Sequence, residues 1–144
     1  MSITADDHSA LLGAWRLVTA RQENVDTGAM SDAAGADPKG YAIFEGGGRF
    51  MGIITPSARP IPLNDADAAA LFRNMTAYTG RYRIEEGRVI TKLDVAWNPA
   101  WEGSEQERFL DLSGDTLTTT SAVQDHPSVP GARIRWTLVW TQER

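Results

Sequence analysis

The chain has 144 residues, 42% of them hydrophobic and 23% charged, with a formal net charge of −5 and no cysteine. Those values suit one globular domain spanning 1–144, large enough to bury a core without disulfides or a structural metal. The acidic balance and the lack of a dense Lys/Arg stripe argue against a nucleic-acid partner, and the missing cysteine removes thiol nucleophiles, iron–sulfur ligation and thiolate zinc sites.

At the N-terminus, Asp6, Asp7 and His8 stand where a secretory signal would need a basic and then an apolar run, and no apolar stretch reaches membrane-spanning length. The expectation is a cytoplasmic protein without a membrane partner. Leu12 to Glu23 reads as a long first strand, followed by a Gly-, Ala- and Asp-rich loop from Asp26 to Gly40. Tyr41 to Glu45 and Arg49 to Thr55 flank the Gly46–Gly48 triplet and predict a hairpin; Pro56, Pro60 and Pro62 then impose an extended connector. Asn64 to Ala77 predicts the one helix, with Asn64 as N-cap and Asp65 and Asp67 at the positive end of its dipole. Its narrow apolar face, Leu71, Phe72 and Met75 with Tyr78 just beyond, suits a lid laid on a larger object.

Four further strands follow: Tyr78 to Glu85, Arg88 to Trp97, Glu105 to Leu112 and Thr116 to Val123, the last two joined through Ser113, Gly114 and Asp115. Arg133 to Gln142 ends the series after a loop with Pro127, Pro130 and Gly131. About eight short strands with hairpin connections predict an all-β barrel or sandwich.

The segment Leu11-Leu12-Gly13-Ala14-Trp15-Arg16-Leu17 matches the Gly-x-Trp opening of lipocalin-type barrels. Asp37-Pro38-Lys39-Gly40-Tyr41, Gly80-Arg81-Tyr82, Asn98-Pro99-Ala100-Trp101-Glu102-Gly103 and Gln106-Glu107-Arg108 extend the likeness. From Leu11 to Glu143 the chain resembles the lipocalin-like domain family of bacteria and fungi. The resemblance implies an up-and-down antiparallel barrel of about eight strands with one inserted helix (64–77). It also implies a ligand cavity, with the Trp15 indole plugging the closed end and glycine admitting close backbone approach. The chain departs from the family pattern at Thr91, Lys92 and Asp94, near which His and Glu are frequent, so no histidine-dependent chemistry carries over.

Alternation places Tyr78, Gly80, Tyr82 and Ile84 on one face, and Arg108 inward with Leu110 and Leu112. The strand between them is ambiguous. Val89, Thr91, Leu93, Val95 and Trp97 form an apolar face, and Ile90, Lys92, Asp94 and Ala96 a mixed one that faces inward if the apolar one meets the helix. In that arrangement Asp94 pairs with Arg108 inside the barrel, either as a structural ion pair or as a polar anchor for a ligand. Candidate ligand contacts are Tyr82, Asp94, Arg108, Lys92, Trp101, Phe72, Met75 and Tyr78. Trp97 is expected to cap the core, and Trp136 and Trp140 to belong mainly to it. His8 and His126 fall in expected loops without metal-ligand spacing and are read as surface residues.

Two functions fit these features best, beside a stress or accessory role in which the cavity is filled by the protein's own side chains. One is binding of a small hydrophobic or aromatic metabolite; an exposed sheet face would allow a homodimer. The other is a cofactor-free isomerase, cyclase or dehydratase acting on a polyketide- or terpenoid-like substrate. In that case Asp94 would be the base, Tyr82 the acid and Arg108 the oxyanion stabiliser.

Overall fold

Burial and exposure alternate at every residue of Lys39–Phe44, where Gly40, Ala42 and Phe44 are buried. This period of two marks a strand with one face on a core. The computed structural model, which describes residues 8–125 and 130–143, builds such strands into a closed wall. A short helix α1 (His8–Leu11) precedes β1 (Gly13–Asn24), β2 (Met30–Asp32), β3 (Lys39–Phe44) and β4 (Arg49–Thr55). Helix α2 (Asp65–Arg73) leads into β5 (Thr76–Glu85), β6 (Arg88–Ala96), β7 (Glu105–Ser113), β8 (Thr116–Ser121), β9 (Gln124–Asp125) and β10 (Arg133–Gln142). The sheet runs β2-β1-β3-β4-β5-β6-β7-β8-β10-β9, and pairing of β1 with β10 closes it. Every pairing between strands is antiparallel, so eight long strands form an up-and-down barrel while β2 and β9 extend β1 and β10 at one end. Closure removes the exposed edges that an open sheet would present.

The turns at 45–48, 86–87 and 113–115 gather at one end, where α1 and Trp15 close the barrel. The Trp15 ring is 0% exposed, and its Nε1 donates to the Leu11 carbonyl at 2.8 Å. The plugging expected of this indole is therefore present. The reason for glycine at Gly13 differs from the expectation: no atom lies within 4 Å of an added Cβ, but φ is +110°, a conformation that L side chains resist. Leu17, Phe44, Leu112 and Leu117 pack around Trp15 to form the core.

The predicted helix is too long at its C-terminal end. Asn64 caps it through a bond from the Asp67 N–H, as expected, but α2 stops at Arg73 with Asn74 as C-cap, and Thr76 already belongs to β5. Pairing of Thr76 and Ala77 with Ile54 and Ile53 outcompetes helix propensity at those residues. No residue of α2 is buried, so the helix lies over the open end and is not keyed into the core. Among the described residues no helix is long and apolar enough to cross a membrane.

Candidate functional site

The inward faces of the strands diverge above the core and enclose a cavity of about 260 Å³. Phe44, Phe50, Val89, Leu117 and Trp140 line its lower part; Ala20, Gln22, Leu138 and Trp136 form the β1–β10 side, and Tyr78 and Trp101 stand toward the opening. Ala33 and Ala34 reach in from the loop after β2, and Arg73 to Thr76 from the end of α2. Aromatic rings run from core to rim in contact. Phe44 meets Phe50 at 5.0 Å between centroids, Phe50 meets Tyr78 at 5.5 Å, Tyr78 meets Trp101 at 5.8 Å, and Trp101 meets Trp97 edge-on at 4.9 Å. The 3-10 turn Pro99–Trp101, capped by the Asn98 side chain, holds Trp101 in place.

Several polar groups of the wall pair with one another. Trp136 Nε1 donates to Gln22 Oε1 at 2.9 Å, and Trp140 Nε1 donates to Thr119 Oγ1 at 3.1 Å, which satisfies both indoles away from bulk water. On the facing side, the pairs Thr91↔Gln106 and Val89↔Arg108 bring Thr91, Gln106 and Arg108 side by side. Arg108 donates to the Glu107 carbonyl at 2.8 Å and to Gln106 Oε1 at 3.3 Å.

The lipocalin-like domain model matches residues 12–143. The chain belongs to the lipocalin-like domain family. Over 85 residues it is 31% identical to the 4'-hydroxy-3'-methoxypropiophenone carrier protein ppsC of Aspergillus oryzae, a match covering 53% of this chain and 74% of that protein. A lipocalin-like protein of known structure from Bacteroides uniformis aligns over 92% of this chain and 98% of its own, with 15% identity and a TM-score of 0.47.

Within this lipocalin-like barrel, the expected Asp94–Arg108 pair does not exist. Val89, Thr91 and Leu93 face inward and are buried, while Lys92 and Asp94 face solvent. Arg108 lies opposite Val89, and Asp94 instead pairs on the outer surface with Arg49 at 2.5 Å. The Arg49 guanidinium holds the Asp94 carboxyl below its ordinary range, which suits a surface anion and not a proton-accepting base in an apolar cavity. Asp94 is also the extra residue of a bulge: Thr79 pairs with Val95 and Gly80 with Leu93. The apolar run 89–97 is therefore not one continuous face, and Val95 is 61% exposed.

Tyr82 points inward but lies among the core residues at the closed end, edge-on to Phe44, and is not part of the cavity wall. Its hydroxyl donates to the Glu45 carbonyl at 2.9 Å and meets His8 Nε2. His8, expected on the surface, is thus half-buried against the Tyr82 ring, while His126 lies outside the described residues. Phe72 remains 44% exposed and packs on Trp97 outside the cavity, its carbonyl accepting from Trp97 Nε1. Of the eight candidate ligand contacts, the wall contains Arg108, Trp101, Met75 and Tyr78; Tyr82, Asp94, Lys92 and Phe72 lie elsewhere. The proposed base, acid and oxyanion partner consequently do not converge.

Several wall residues escaped the sequence reading. Gln106 shares parity with Arg108 and was legible from that alone. Gln22 was not: the register shifts between Leu17 and Thr19, leaving Val18 as the extra residue and turning Ala20 and Gln22 inward in place of Thr19 and Arg21. Trp136 shares a face with Trp140, as expected, but stands above the core and lines the cavity.

Proposed function

We propose that this barrel binds and carries a small, mostly apolar molecule of one or two rings. The observation that carries this reading is the cavity of about 260 Å³ enclosed by Tyr78, Trp101, Trp136 and Trp140. Closed apolar sites of about 150 Å³ admit benzene and drug-sized pockets start near about 300 Å³, so on the order of 10–15 non-hydrogen atoms fit here. The Aspergillus oryzae relative is named as a carrier of a substituted propiophenone, an aromatic ketone of that size, and supports the same class of cargo. Binding is favoured over catalysis because Asp94, the carboxylate needed as base, is paired outside the barrel.

Titration with a two-ring neutral fluorescent probe, 1-naphthylamine, tests the proposal. Saturable binding is expected, weakened roughly tenfold or more by Leu138→Trp, which fills the cavity. Asp94→Asn and Met51→Lys, both on the outer wall, should leave affinity unchanged while circular dichroism confirms the fold. Binding that survives Leu138→Trp but disappears in Met51→Lys would move the probe to the outer face and overturn the reading.

A further inference from the structure

We propose that the cavity prefers a ring-bearing ligand with one anionic oxygen group, a carboxylate or an ionised phenol or enol, held by Arg108. This rests on the binding function above and adds the charge and the anchoring residue.

The chain is acidic, with 19 Asp and Glu against 14 Lys and Arg, yet among the described residues the cavity wall contains Arg73 and Arg108 and no carboxylate. Arg21, Arg49, Arg83, Arg88, Arg133 and Arg135 each meet a carboxylate. Among the described residues Arg108 meets the neutral Glu107 carbonyl and Gln106 Oε1 and no carboxylate. The nearest carboxylate in sequence, that of Glu107, is turned to the other face of β7, where it pairs with Arg88 at 2.5 Å. A guanidinium has five N–H donors, so most of those on Arg108 remain available to a ligand.

Its neighbours can also donate. Because Arg108 only donates, Gln106 must present its carbonyl oxygen to the guanidinium, which leaves the amide NH2 as a donor on the other side. The Thr91 hydroxyl, opposite Gln106, makes no hydrogen bond among the described residues. Guanidinium, amide NH2 and hydroxyl thus form a patch of donors beside an apolar, aromatic space. Such a patch matches an oxyanion, which only accepts. Among the described residues of the cavity wall no carboxylate stands beside this half-buried cation, and an anionic ligand would supply its counter-charge.

The test compares naphthoate with naphthamide, matched in shape and differing in charge, by quenching of tryptophan fluorescence near neutral pH. Wild-type protein should prefer naphthoate by roughly 10- to 100-fold. Arg108→Met should abolish the preference while retaining naphthamide binding, and Arg108→Lys should restore part of it. The ligand-free Arg108→Met protein should also unfold at a higher urea concentration than wild type, because an uncompensated cation is removed; an arginine that merely braces β7 would give the opposite shift. Equal affinity for both probes, or a preference lost in Arg73→Gln but kept in Arg108→Met, overturns the inference and leaves the binding function standing. Failure of both probes to bind overturns the two together.

Discussion

Tyr82 shows how burial redirects a side chain that looked chemically useful. Its ring is wedged between Phe44 and His8, and its hydroxyl is committed to the Glu45 carbonyl. Burial, reinforced by the negative charge of Glu45, pushes the phenol above its ordinary value, because desolvation disfavours the phenolate. The unfolded chain then loses this proton before the folded chain does. Stability is therefore fully present below about pH 10 and falls as pH rises toward the raised folded value. Urea midpoints measured across that alkaline range should fall in wild type, and Tyr82→Phe should remove Tyr82's share of the fall. An unchanged alkaline slope in the variant would place the titrating group elsewhere. Asp94 is the converse case: an exposed carboxylate beside Arg49 has its charge stabilised and has no access to the cavity.

At the scale of elements, the β5–β6 pair determines which residues can reach a ligand. Gly80 lies at the register shift, and a Cβ there would stand 2.2 Å from the Lys92 carbonyl oxygen and 2.9 Å from the Thr91 methyl. The carbonyl belongs to the backbone, so the clash cannot be relieved by a rotamer change. Gly80→Ala should force β5 and β6 apart and cost at least about 2 kcal/mol, read as a lower urea midpoint. It should also loosen Thr91 and weaken probe binding. Helix α2 behaves differently. Asn64 Oδ1 accepts from the Asp67 N–H and the Asp67 carboxylate accepts from the Leu63 N–H, so its first turn is well capped although no residue of the helix is buried. Local capping specifies it, and the Phe72–Trp97 contact ties it to the barrel.

For the whole molecule, a closed wall packed below and hollow above couples ligand binding to stability. A cargo that binds only the folded barrel adds RT ln(1 + [L]/Kd), about 2.7 kcal/mol at a hundredfold excess over Kd. For a chain of this size that corresponds to a rise in Tm on the order of 5–10 °C. Thermal unfolding with and without the neutral probe should show the shift in wild type, and Leu138→Trp should reduce it. A probe that leaves Tm unchanged at saturation would mean that the unfolded chain binds it equally well.

Alternation, glycine and proline punctuation and the Gly13-x-Trp15 opening were sufficient to specify an all-β barrel, the strand bounds of Arg49–Thr55 and Arg133–Gln142, the inward face of Arg108 and the cap at Asn64. These are local properties: a period of two, a turn that needs a particular φ, a donor three residues from its acceptor. The choice of inward face on Arg88–Ala96 was not local. Both of its faces are compatible with a strand, and the selection came from the partners of β6, with Gly80 opposite Leu93 and Gln106 opposite Thr91. The extra residues at Val18 and Asp94 shift the pairing of β1 and β6. A single such insertion exchanges the faces of every residue beyond it, so only the closed sheet could set Gln22 and Thr91 in the cavity and leave Asp94 in water.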